Sequence, residues 1–231
     1  MCYRIFKGIK RILYTFFNNK KEDNNNPLVM KKYLAVGLGN IGFEYHETRH
    51  NVGFMVVDAL AQSKESAFVS DRYASVCTIR HKGRQIILIK PSTYMNLSGK
   101  AVRYWLEKEN IPLENMLVIF DDIDLDPGVI RIKPKGGGGS HNGINHIIEV
   151  LDTQNFARLR FGIGKNYPQG QQVNYVLGKF DTEETSLINQ QIEFAGKAIL
   201  SFATGGIGHT MNAFNKKTIE DSNNKTENQE K

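Results

Sequence analysis

The chain has 231 residues, 40% of them hydrophobic and 10% aromatic, which suits one substantial core with tails. No apolar run approaches the roughly 20 residues a bilayer span requires, so stable membrane insertion is not expected. Cys2 and Cys77 form no pairing pattern, which leaves a cytoplasmic protein with reduced thiols as the simplest reading. The net charge of +6 resides in residues 1–32, where eight Lys/Arg face only Glu22 and Asp23. The remainder is charge-balanced, so any nucleic-acid site on the body must be a local patch.

Met1–Phe17 alternates basic and apolar residues, and Lys20–Pro27 is an Asn-rich linker. Three readings of residues 1–30 stand open. They are a disordered or upstream-start extension with the working protein beginning near Met30, an arm for anionic membrane or RNA, and an organelle address. Tyr33–Val36 is a short strand ending in a glycine-rich turn, and Val52–Ala61 has helical spacing. Tyr73–Arg80 and Gln85–Ile89 flank His81-Lys82-Gly83-Arg84 as a hairpin. Ser98–Lys108 is helical with Ser98 as N-cap. Met116–Phe120 and Gly128–Lys133 are strands, Asn142–Leu151 a helix, Arg158–Gly164 a strand and Thr182–Ala203 a long helix. Residues 216–231 form a polar, disordered tail. Strands alternating with helices around an inserted hairpin predict an α/β fold, a three-layer sandwich on a mixed sheet spanning residues 31–215.

Five motifs carry polar chemistry. Gly37-Leu38-Gly39-Asn40-Ile41-Gly42 fits a dinucleotide fingerprint, but the next helix starts only near Asn51 and no acid follows for a ribose. A structural glycine turn carrying one functional side chain, Asn40, fits the context better. Tyr45, Thr48, Arg49, His50 and Asn51 crowd the loop beyond this turn, where His50 is either functional or simply exposed beside an Asn51 N-cap. Pro91–Lys100 contains Tyr94, Met95 and Asn96, which suit either a site or a turn and core. Asp121, Asp122, Asp124 and Asp126 follow an apolar strand without the ligand pattern of an EF-hand. Asp121 stands first after the apolar run, the least solvated place among the four and the one expected for a carboxylate that orients a histidine. Gly136–Gly139 leads into Ser140-His141-Asn142, a loop whose N–H groups can face an anion. Arg131, Lys133 and Lys135 alternate on one strand, and Arg158 and Arg160 on another. If those strands adjoin, they make one basic patch.

Taken in order, these motifs closely resemble the bacterial-type peptidyl-tRNA hydrolase family. The likeness covers Lys31 to Asn215 and rests on Tyr45-x-x-Thr48-Arg49-His50-Asn51-x-Gly53, Tyr94-Met95-Asn96-Leu97-Ser98-Gly99, Asp121-x-x-Asp124, Ser140-His141-Asn142-Gly143 and Arg158-Leu159-Arg160-x-Gly162-Ile163-Gly164. The resemblance implies a monomeric α/β/α sandwich around a mixed, mostly parallel twisted sheet, acting in translation on the ester of peptidyl-tRNA without metal or cofactor. It implies His50 as catalytic histidine, Asp121 as the acid that holds it, and Asn40 as the side chain that distinguishes N-blocked ends. Tyr45, Tyr94, Met95, Asn96, His141 and Asn142 are expected on the substrate, and Lys133 with Arg160 on the 5′-phosphate of the tRNA acceptor stem. Two departures stand out: Gly138 replaces a histidine common in the glycine run, and Phe120 a polar residue beside the acid.

The implied mechanism is water activation by a neutral His50, worth about 10²–10⁴-fold, with Asp121 fixing the ring. Asn40, Asn96 or the glycine loop would supply the oxyanion donor. Ser98 and Ser140 are poor nucleophile candidates because capping explains their places at helix starts. The rival readings are a catalytically silent RNA-binding module and a nucleotide-dependent oxidoreductase.

Overall fold

Leu34–Val36, Ile86–Ile89 and Met116–Phe120 are continuous apolar runs, the pattern of strands covered on both faces. In the computed structural model, which describes residues 30–215, they form the centre of one sheet. The expectations for the N-terminal arm and for the tail after Asn215 fall outside the described residues. The strands are β1 (Lys31–Gly37), β2 (Val69–Asp71), β3 (Ala74–His81), β4 (Arg84–Pro91), β5 (Met116–Asp122), β6 (Ile130–Lys133) and β7 (Ala157–Gly162), in spatial order β2-β3-β4-β1-β5-β7-β6. β4, β1, β5 and β7 run parallel, while β2, β3 and β6 pair antiparallel at the two edges. The sheet is therefore mixed, and mostly parallel only at its centre. The β3–β4 hairpin turns at Lys82 and Gly83 with φ of 46° and 71°. Two positive φ values suit the right-handed strand twist, and glycine supplies one of them without strain.

The helices are α1 (Val52–Gln62), α2 (Ser98–Glu109), α3 (Asn142–Leu151), α4 (Gln172–Val176) and α5 (Thr182–Phe214). Val56, Val57 and Leu60 of α1 and Ile188, Ile192 and Ile199 of α5 pack on Ala35, Leu88, Leu117 and Leu159 on one face. Val102 and Trp105 of α2 and Ile144 and Ile147 of α3 cover Leu34, Val36, Ile87 and Val118 on the other. The result is the expected α/β/α sandwich, each buried aliphatic side chain contributing roughly 1.5–3 kcal/mol.

The long helix departs from its expected form. It continues past Ala203 but is broken at Gly206, with φ 74° and ψ 177°. The rings of Phe194 and Phe214 lie 4.7 Å apart, whereas 20 helical residues would separate them by about 30 Å. Gly206 is thus a corner at which the helix reverses. The returning segment delivers Asn215, whose side-chain amide accepts from Ile132 N–H at 2.7 Å and donates to Ile132 O at 2.9 Å. This pairs part of the outer edge of β6, which would otherwise present open backbone groups. The sequence reading did not anticipate β2 or α4.

The glycines that imitate a dinucleotide fingerprint have a packing role. A Cβ on Gly53 would sit 2.5 Å from Ile119 O and Leu38 N, and one on Gly37 would sit 2.3 Å from Gly53 O. The start of α1 is therefore pressed directly onto the ends of β1 and β5. Gly53→Ala should lower the urea midpoint, with a cost of at least about 1–3 kcal/mol from overpacking. Gly208→Ala, in open helical space, should raise it by about 0.4–1 kcal/mol through the unfolded state.

Candidate active site

Asp121 closes the apolar run of β5 at the carboxyl ends of the parallel strands β1 and β5, where open α/β sheets build their sites. Its carboxylate is the meeting point of two imidazoles. His50 Nδ1 lies 2.8 Å from Asp121 Oδ1, and His141 Nε2 lies 3.1 Å from the same oxygen. His50 belongs to the 3-10 turn Arg49–Asn51 that leads into α1 on one face of the sheet. His141 precedes α3 on the other. The sheet thus brings together groups from three distant stretches of chain.

Each ring has a definite role in these bonds. His141 is the N-cap of α3, its Nδ1 accepting from Ile144 N–H at 3.3 Å. The proton must then sit on Nε2, which donates to Asp121. Ser140 is not the cap, and the sequence reading misplaced that function by one residue. At His50 the bond engages Nδ1 and leaves Nε2 uncommitted to Asp121, on a side chain that is 15% exposed. Burial disfavours the imidazolium of His50, but the charge of Asp121 and its hydrogen bond outweigh that and raise the pKa above the ordinary histidine value. Burial likewise works against the carboxylate of Asp121, yet His141 and His50 hold it well below the usual carboxylate range. One ring nitrogen of His50, one of His141 and a carboxylate oxygen of Asp121 all lie within 4.8 Å of one another. Hydrogen bonding accounts for this spacing, because both rings direct a nitrogen at one oxygen. Phe120 takes the place of a polar neighbour by packing edge-on against His141, ring centres 5.0 Å apart.

Arg49 and Asn51 hold the loop that carries His50. Asn51 stands at the N-cap position of α1 without capping it. Its side chain instead accepts from Asn40 N–H at 2.8 Å and donates to Asn40 O at 2.9 Å. The loop from Asn40 to Asn51 is therefore closed at its neck, and half-buried Asn40 is fixed beside the turn bearing His50. Arg49 is buried, with Nη2 on Asp181 and Glu184 at 3.2 and 3.1 Å, Nη1 on Lys179 O, and its guanidinium 4.3 Å from the ring centre of Tyr175. Its neighbour in sequence, His50, is thereby tied to the start of α5. Its hydrogen-bond partners lie 130 or more positions away in sequence, so no local signal revealed them.

The remaining predicted residues divide. Asn96, in the 3-10 turn Met95–Leu97, and Asn142, the first residue of α3, are exposed on neighbouring elements. Tyr45 is half-buried and Tyr94 is 74% exposed. Met95 and His141, expected on the substrate, are only 7% and 8% exposed. Met95 Sδ lies 2.6 Å from where a Cβ on Gly143 would stand, so Met95 supports the site from the core. Ser98 is the first residue of α2 rather than its N-cap, and its hydroxyl donates to Met95 O at 2.8 Å.

β6 and β7 do adjoin, with Arg131 opposite Arg160 and Lys133 opposite Arg158. Lys133 and Arg160 occupy diagonal positions on one face. Lys133 is exposed, whereas Arg160 Nε donates to Asp122 at 2.5 Å. Arg158 is buried under the glycine run, donating to Gly137 O and Gln154 O at 3.0 and 3.1 Å. Asn145 donates to Gly139 O at 3.0 Å. The run is thus held by its carbonyls, and Gly138 abuts Asn145, where a Cβ would lie 2.2 Å from Oδ1. Among the described residues, no helix is long and apolar enough to cross a membrane.

Comparison with known proteins places the chain in a family. The family model described as peptidyl-tRNA hydrolase matches residues 34–222. A peptidyl-tRNA hydrolase of Bacteroides fragilis is 58% identical over 186 residues, covering 80% of this chain and 100% of the relative. One from Cytophaga hutchinsonii is 52% identical over 80% of this chain and 99% of its own length. The crystal structure of peptidyl-tRNA hydrolase from Acinetobacter baumannii superposes with a TM-score of 0.76 at 35% identity, covering 82% of this chain and 97% of that one. The chain belongs to the peptidyl-tRNA hydrolase family.

Proposed function

We propose that the chain hydrolyses the ester between a peptide and the 3′-terminal ribose of tRNA, with His50 as general base. The observation that carries this reading is the 2.8 Å bond from His50 Nδ1 to Asp121. With Nδ1–H committed to the carboxylate, Nε2 is the basic nitrogen left to act on water. It removes a proton from water as the oxygen attacks the ester carbonyl. The tetrahedral oxyanion then collapses, expelling the ribose hydroxyl, which regains a proton from the imidazolium. Asp121 stabilises that imidazolium and preserves the ring orientation throughout. His141 acts as a positioning residue by donating to the same oxygen. An activated ester requires no metal or nucleotide for this step.

Asn40 supplies a side-chain amide at the mouth of the site, where N-blocked and free aminoacyl ends differ. Tyr45, Tyr94, Asn96 and Asn142 provide the peptide-facing surface, and one amide oriented to the oxyanion is worth roughly 10²–10³-fold. Lys133, exposed on β6, serves the acceptor-stem phosphates with Arg160, whose bond to Asp122 orients its guanidinium. The enzyme is read as a monomer acting in the cytoplasm.

Turnover of N-acetylaminoacyl-tRNA over the free aminoacyl form is the direct test. His50→Ala should lower kcat by about 10²–10⁴-fold, and retention of the native rate would overturn the mechanism. The wild-type rate should fall as pH drops through the raised pKa of His50, because the imidazole must be neutral to act. Asp121→Asn should slow the reaction and move that acid limb to lower pH, since it removes the charge that favours the imidazolium. Lys133→Ala should raise KM and flatten its salt dependence with kcat little changed. Equal losses in kcat and kcat/KM would remove the phosphate assignment.

A further inference from the structure

Phe43 is 93% exposed in the loop whose neck is the Asn40–Asn51 pair, and Ile41 beside it is 48% exposed. Such exposure of a phenylalanine is costly when nothing covers it, and this loop is well anchored. Tyr45 N–H donates to Gly42 O and His46 N–H to Phe43 O, at 3.2 and 3.1 Å, and Thr48 Oγ1 donates to Tyr45 O at 2.9 Å. Arg49 N–H is bonded to Gly178 O at 2.8 Å. The ring is therefore presented on a braced turn, between the residues that flank the proposed chemistry.

We infer that Phe43, with Ile41, is a stacking platform for the 3′-terminal nucleobase of the RNA substrate. The inference rests on the hydrolase reading, because there the scissile ester lies on the ribose that carries this base. A base must then lie within one nucleoside's span of His50. The chemistry of the loop selects a base over a phosphate. Glu44, next to Phe43, disfavours anions, while Glu47 is already paired with Lys179 at 3.1 Å; a neutral heterocycle stacks on a phenyl face without needing a hydrogen bond. A terminal base is unpaired, so its face is free to stack.

The test uses the full chain and a deacylated RNA minihelix ending in a 3′ adenosine, against the same minihelix with an abasic terminal residue. Wild type should prefer the intact end by about 5–100-fold, the range for one base stacked on an aromatic side chain. Phe43→Ala should abolish the preference, and Phe43→Trp should retain it. Neither variant should perturb folding, given the exposure of the site. A preference that survives Phe43→Ala overturns the platform, as does an equal loss of affinity for both minihelices, which would point to another occupant. Hydrolysis of N-acetylaminoacyl-tRNA by wild type, measured alongside, separates the readings. Turnover with an unaffected Phe43→Ala preference sinks the platform alone, whereas absence of turnover sinks the hydrolase reading on which it rests.

Discussion

The carboxylate of Asp121 accepts hydrogen bonds from His50 and His141, and the surrounding structure is arranged to make this possible. A buried carboxylate is costly unless its charge is matched by donors. Here the compensation comes from two rings supplied by opposite layers of the sandwich. Removing either ring leaves Asp121 short of a donor, while removing Asp121 leaves both rings without their acceptor. The three groups behave as one unit, with His50 as its most exposed member.

Meeting at one oxygen requires tight tolerances in the backbone. Gly37 and Gly53 allow the start of α1 to rest on the ends of β1 and β5, so that His50 reaches a strand terminus that any side chain at Gly53 would hold away. Asn51 closes the loop onto Asn40, and Arg49 ties its far side to Asp181 and Glu184. On the other layer, His141 is oriented by capping α3, and Met95 fills the space above Gly143. A polar site thereby stands on packed apolar residues and carries little freedom of its own.

Much of this was legible in the sequence because it is local. Alternation of apolar runs gave the strands, and Asp121 declared its burial as the first polar residue after Met116–Phe120. Failures arose where partners are distant or geometry is tertiary. Ser98 and Ser140 have the chemistry of caps, but His146 Nδ1 accepts the Gly99 N–H at 2.9 Å and His141 caps α3. Arg49 read as a motif residue without a task and Asn51 as an N-cap, because their actual partners depend on loop closure and on distant residues. Val69–Asp71 is three exposed residues at a sheet edge, too short for a periodic signal. The long helix was expected to end at Ala203, but it continues to a corner at Gly206 from which the chain returns to cover β6.

The central claim is most directly tested by ¹⁵N NMR of the histidine side chains across pH in wild type and in Asp121→Asn. The account predicts His50 protonated at Nδ1 in its neutral form, His141 protonated at Nε2, and a His50 midpoint above the ordinary value that falls when Asp121 is neutralised. A neutral His50 carrying its proton on Nε2, or a midpoint indifferent to Asp121→Asn, would contradict it.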